Sequence, residues 1–213
     1  MRAGLVSILG MLLSVAMFEQ SQSAQPTVQS AAELVAELRQ FPAELPAGAP
    51  SNGVPDPKEV LRRSVYDRLW TLGAEAMPAL NRGLADPDVQ IRRNVALYLN
   101  VAAGGWYEPS RPRLDIRPCL AALIAALGDT DARVTQLAAQ AVGSIGSAAS
   151  PAVPALIALL ASSDEGSRNS ACIGLTGIGA GAREALPALH KALADPSDDV
   201  RRFAQRAIDA IEK

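Results

Sequence analysis

From Leu61 onward the chain repeats itself. Val200-Arg201-Arg202-Phe203-Ala204-Gln205-Arg206-Ala207-Ile208, with Ile211, has a counterpart 33 residues earlier in Ser167-Arg168-Asn169-Ser170-Ala171-Cys172-Ile173-Gly174-Leu175, with Ile178. A second step of 33 reaches Val134, Ala138, Ala141, Val142 and Ile145. A step of 43 reaches Ile91-Arg92-Arg93-Asn94-Val95, Leu99 and Ala102, and a step of 30 reaches Leu61-Arg62-Arg63-Ser64-Val65, Leu69 and Leu72. A period near 33 is the mark of stacked units, each unable to bury its apolar face alone.

Within a copy the apolar residues fall at offsets 0, 4, 8 and 11, as in Leu61, Val65, Leu69 and Leu72. Those offsets share one face of an α-helix. A glycine follows in three copies, Gly73, Gly146 and Gly179, where a helix stop belongs. A second apolar element then opens at Met77-Pro78-Ala79-Leu80, Val153-Pro154-Ala155-Leu156 and Leu186-Pro187-Ala188-Leu189, with Leu120-Ala121-Ala122-Leu123 in the same place. Proline suits a first helical turn. The turns Asp86-Pro87-Asp88, Asp129-Thr130-Asp131, Ser163-Asp164 and Asp195-Pro196-Ser197-Asp198 supply N-caps for the next copy. Composition agrees. With 49% hydrophobic but only 4% aromatic residues, small and branched aliphatics must build the core, which excludes disorder and disfavours a β-sandwich.

The pattern Asp-Pro-Asp, Val-Arg-Arg, Ala-rich helix, Ile-Gly, Pro-Ala-Leu resembles HEAT repeats over residues 59–212. It is most similar to the short type named after phycobiliprotein (bilin) lyases. The resemblance implies an all-α fold, a right-handed α-solenoid of about five HEAT-like helix-pair repeats. Four pairs are full, and a lone helix at 198–212 ends the array. It also implies protein binding, with the bilin lyase likeness opening a second reading as a chaperone-type accessory protein.

The amino-terminal segments differ from the repeats. Met1-Arg2 precedes an uncharged apolar run, Ala3 to Phe18, then Ser21-Gln22-Ser23-Ala24. This reads as a signal peptide over 1–24, so the mature chain is expected to be periplasmic or secreted and to lie outside the membrane. Residues 25–58 read as a short capping helix followed by a Pro-rich linker. Ser30-Ala31-Ala32-Glu33 is a capping box, Leu34, Val35 and Leu38 follow at helical spacing, and prolines run from Pro42 to Pro57. Residues 59–213 form the repeat domain.

Residues for catalysis are sparse, and a non-enzymatic protein without cofactor or metal is expected. His190 has no second imidazole to complete a metal site, and no P-loop, Rossmann fingerprint or nucleophile elbow occurs. Cys119 and Cys172 fall about two layers apart, too far for a disulfide. Arg62, Arg92, Arg168 and Arg201 share one column, and aspartates recur in the turns. In HEAT repeats this resembles an Asp–Arg ladder. Nucleic-acid binding is the other reading of the column, but the net charge is −2, with no surplus of cations, so no nucleic-acid partner is expected.

Two surfaces are candidates for a protein partner. On the second helices, the side away from the core leucines reads Arg82, Ala125, Ala158 and Lys191, a weakly apolar strip with a cation at each end. In a HEAT solenoid the second helices line the concave side. An inert Ala-rich surface is the alternative. The copy with the 43-residue step carries its extra residues within 104–113, which include Trp106, Tyr107, Arg111 and Arg113, residue types that dominate interfaces. Tyr66 and Trp70, one turn apart, are expected to flank the core nearby. The alternative is that these rings plug the loop and the Pro-rich segment onto the array.

Overall fold

The computed structural model describes residues 29–41, 56–104 and 111–213. The signal peptide, the Pro-rich segment 42–55, Trp106 and Tyr107 lie outside the described residues. Described residues form ten α-helices and no strand. They are α1 (Ala31–Glu37), α2 (Pro57–Leu72), α3 (Met77–Gly83), α4 (Val89–Gly104) and α5 (Leu120–Ala126). Then come α6 (Ala132–Ile145), α7 (Val153–Leu159), α8 (Glu165–Ile178), α9 (Leu186–Ala192) and α10 (Asp198–Glu212).

Long helices alternate with one-to-two-turn helices, giving a first layer (α2, α4, α6, α8, α10) and a second (α3, α5, α7, α9). In the first layer α4, α6, α8 and α10 stack in chain order, each second helix packs on a first helix, and residues 31–213 form one unit. The fold is an all-α solenoid.

The boundaries follow from local chemistry. Asp56, Asp131 and Asp164 each accept a backbone N–H in the first turn of α2, α6 and α8, and the Ser197 hydroxyl does so for α10. Gly73, Gly146 and Gly179 end α2, α6 and α8 at φ of +52°, +76° and +64°, a conformation that other residues rarely adopt. A 3₁₀ turn then leads into each second helix. Ala132–Leu159, an apolar stretch long enough by composition to cross a membrane, is therefore two helices broken at Gly146.

Packing along the stack is uneven, and side-chain size is the cause. Between α6 and α8 the backbones touch through glycine. A Cβ on Gly177 would lie 2.3 Å from the Gly143 carbonyl oxygen, and one on Gly174 2.8 Å from that of Ala139. The first copy is different. Helix α1 packs against α2, α3 and α4 at once, and α2 stands farther from α4 than the later first helices stand from one another. Phe41, Tyr66 and Tyr98 are all buried in this wider region, and the two tyrosine rings meet edge to face at 5.1 Å. Leu61, at a core offset, is 43% exposed, whereas its counterparts Ile91, Val134 and Val200 are buried.

Helix α1 buries Leu34 and Val35, the 3₁₀ turn that follows it buries Leu38 and, at its C-cap, Phe41, and Val35 sits over Gly83 of α3. Each such side chain stabilises by about 1.5–3 kcal/mol. Asn94 anchors the tail of α1. Its amide donates to the carbonyls of Leu38 (3.2 Å) and Phe41 (2.8 Å), while the Tyr66 hydroxyl donates to the Asn94 carbonyl (3.0 Å).

Candidate functional site

The arginine column is consumed by the fold. Arg92 places Nε and Nη2 on the two oxygens of Asp129 (2.7 and 3.1 Å), one repeat ahead, and its Nη1 on the Asp86 and Pro87 carbonyls (2.9 and 3.2 Å). Arg168 repeats this with Asp195 (2.8 and 2.9 Å) and the Ser162 and Ser163 carbonyls (3.1 and 3.2 Å). Each guanidinium thus ties its own turn to the next. The geometry is the bidentate fork that arginine alone provides. Arg201 binds the carbonyls of Asp195 and Pro196 and pairs with Asp198. Arg62 pairs with Glu59 on its own helix. In the copy at 134 the column holds Thr135, and the acceptor place holds Ser162 instead of aspartate. Charge is absent from both sides, so no ion is left buried alone.

A second set of links runs through the N-caps. Arg93 forks onto Asp131 (2.9 and 2.5 Å), and the Gln136 amide donates to Asp164 (2.9 Å). The Arg93 hydrogen bond holds the Asp131 carboxyl below the ordinary aspartate range. The Ser167 hydroxyl and then Gln136 do so for Asp164, and Arg168 does so for Asp195. The same Asp129 and Asp195 contacts push Arg92 and Arg168 upward.

On the second layer, Arg82, Ala125, Ala158 and Lys191 are all exposed, while Leu80, Leu123, Leu156 and Leu189 on the other side are buried. Pro78, Ala121, Pro154 and Pro187 form a parallel exposed column, and Ala85, Gly128, Ala161 and Ala194 another. Helices α5 and α7 put no charge on this face. His190 is exposed at its carboxyl-terminal end. Among the described residues no group of three or more His, Cys, Asp or Glu side chains is placed to hold a metal ion.

The insertion folds back onto the array where it is described. Arg111 pairs with Asp67 (2.8 Å) and lies 5.8 Å from the Trp70 ring centroid. The Leu114 amide donates to the Ala102 carbonyl (3.0 Å). Trp70 is half-buried against the core. Tyr66 does not flank the core but belongs to it, at 4% exposure, because the separation of α2 from α4 opens room for a ring. Arg113 is exposed and lines a cleft of about 330 Å³ with Ala103, Ile116, Ser144 and Ser147. Beside it the Arg117 guanidinium pulls the Asp115 carboxyl down to about 2.

Both thiols are buried and free. Cys119 lies 3.5 Å from the Met77 sulfur. Burial pushes Cys119 up to about 11 and Cys172 up to about 12. The Asn94 anchor and the glycine contact of α6 and α8 escaped the sequence reading. A polar residue beside Val95 and three glycines inside helical copies were the signals available for them.

Residues 120–212 match the HEAT repeats family. No curated protein matches the chain in sequence. Among solved structures, an engineered protein is 22% identical, with 85% of this chain and 81% of that one covered and a TM-score of 0.58. A computationally designed armadillo repeat protein for modular peptide recognition is 21% identical, with 84% and 81% covered and a TM-score of 0.56. Another designed armadillo repeat protein, in complex with the peptide (KR)4, is 19% identical, with 85% and 81% covered and a TM-score of 0.56. At these identities the likeness concerns the fold.

Proposed function

We propose that this HEAT-repeat protein is an exported, non-catalytic scaffold that holds an extended segment of a partner polypeptide along the exposed face of its second helices. The observation that carries the proposal is the column Arg82, Ala125, Ala158, Lys191, which is exposed in all four repeats and uncharged across the middle two. Solenoids present such continuous faces as binding surfaces. Export is supported by the leader-like pattern of Met1-Arg2 and the apolar run to Phe18.

The face constrains the partner. Packed helices sit about 8–10 Å apart, so Arg82 and Lys191, three repeat steps apart, are separated by about 24–30 Å. An extended chain covers that with about 8 residues. Small or apolar side chains suit its middle, and carboxylates suit its two ends. A designed armadillo relative binds a peptide of alternating Lys and Arg; this chain, with cations at the ends of its strip, calls for the opposite charge.

The test is affinity capture from an extract of the exported fraction, comparing the unaltered chain with Ala125→Glu plus Ala158→Glu. Both positions are exposed, so the fold tolerates the change. Loss of a specific captured polypeptide supports the proposal, and unchanged capture defeats it. Trp106→Ala with Tyr107→Ala, run beside it, separates the strip from the insertion.

A further inference from the structure

The opposite layer carries a second groove. It runs across α6, α8 and α10, has a volume of about 320 Å³, and is lined by Gly143, Ile173, Thr176, Gly177, Phe203 and Arg206, with Gln140 and Ser144 at its edge. These residues sit at offsets 3, 6, 9 and 10 of their copies, on the far side of each helix from the core offsets 0, 4, 8 and 11. The groove exists because α6 and α8 meet through Gly143, Gly174 and Gly177, which leave no side chain above the contact.

Its floor is apolar even where the residues are polar. The Thr176 hydroxyl donates back to the Cys172 carbonyl (2.8 Å), the Ser144 hydroxyl to the Gln140 carbonyl (3.2 Å), and the Gln140 side chain is held between Asn100 (3.0 Å) and Ser170 (3.3 Å). None of these groups needs a hydrogen bond from an occupant. One wall is the half-buried Phe203 ring, with the guanidiniums of Arg202 and Arg206 at 5.4 and 5.2 Å from its centroid. Arg202 is neutralised by Asp199 (2.7 Å). Arg206 is exposed and has no carboxylate partner among the described residues. An apolar trough thus ends at a positioned cation without a counter-ion among the described residues.

We propose that this groove docks an extended, acidic segment of a partner polypeptide, with one or two aliphatic side chains on the glycine floor beside Phe203 and a following Glu or Asp side chain on Arg206. Charge complementarity selects the occupant, because a neutral apolar segment leaves Arg206 unpaired and a basic one is repelled by it. This site lies on the first layer and is independent of the strip on the second helices.

The experiment is an amide NMR titration of the full chain with the peptide acetyl-Ser-Leu-Val-Ser-Glu-Gly-amide and with its Gln counterpart. The Glu peptide is expected to shift the amides of Gly143, Thr176, Gly177 and Phe203, and the Gln peptide to bind at least threefold more weakly. Arg206→Glu, at an exposed position, should weaken the Glu peptide at least threefold and reverse the preference, so that the Gln peptide binds more tightly than the Glu peptide. Thr176→Trp should block both. Arg82→Ala should leave the response unchanged, which separates this site from the second-helix strip. Absence of shifts at millimolar peptide, equal affinity for the two peptides, or no effect of Arg206→Glu would overturn the proposal.

Discussion

Gly177→Ala isolates the physical basis of the stack. A helix interior ordinarily gains about 1 kcal/mol from alanine in place of glycine. Here the new Cβ would lie 2.3, 2.6 and 2.7 Å from the oxygen, carbonyl carbon and Cα of Gly143, all backbone atoms that no rotamer change can move. Restoring ordinary contact requires α6 and α8 to separate by about 1 Å, and close-packed interiors resist that. Overpacking of this kind costs about 1–3 kcal/mol, and with a backbone obstacle the upper part of that range applies. The net expectation is a loss of about 1–2 kcal/mol despite the propensity gain, a fall in Tm of about 2–8 °C. Gly128→Ala is the control. Its Cβ would meet only the Ala125 carbonyl oxygen, at an ordinary 3.6 Å, and the change should stay within about 0.5 kcal/mol. Thermal and urea melts followed by far-UV circular dichroism read both variants. A Gly177→Ala protein as stable as the unaltered chain would refute the claim that glycine contact sets the α6–α8 spacing.

Other outcomes follow from the polar links. Arg168→Ala removes the guanidinium from Asp195, which keeps the Ser197 amide as a donor, and from the carbonyls of Ser162 and Ser163; a loss of about 1–3 kcal/mol in urea unfolding is expected. The carboxyls of Asp131, Asp164 and Asp195 are depressed in the folded chain. Their contribution is present above the unfolded aspartate pKa of about 3.9 and is lost as pH falls through the folded values. The urea midpoint should therefore hold steady from neutral pH to about 5 and fall steeply below about 4; a midpoint unchanged at pH 3 would contradict the depressed values. Asn94→Ala releases the carbonyls of Leu38 and Phe41, and hydrogen exchange at residues 34–41 should quicken while that of α8 and α10 does not. Native chain should react negligibly with a thiol reagent near neutral pH, and denatured chain should show both Cys119 and Cys172, as their burial and raised pKa values require.

The repeat architecture was legible because its signals are local. Offsets 0, 4, 8 and 11 mark a helical face, glycines mark the stops, and the Asp and Ser residues of the turns mark the starts. The arginine column was legible for the same reason, and its one interruption at Thr135 is matched by Ser162 across the gap. What depends on the distance between helices was not legible. Tyr66 carries the same spacing whether α2 touches α4 or stands away from it, so its burial follows only from the distance between those two helices. Likewise Gly143, Gly174 and Gly177 look like helix defects in one dimension; in three they become a helix contact, and Gly143 and Gly177 a groove floor as well.

The claim that the second-helix face is the binding surface is tested most directly by hydrogen exchange on the chain alone and with its captured partner. Protection concentrated in residues 77–85, 120–128, 153–161 and 186–194 is the predicted result. Protection confined to the first helices or to residues 104–117, with those four segments unchanged, would contradict it.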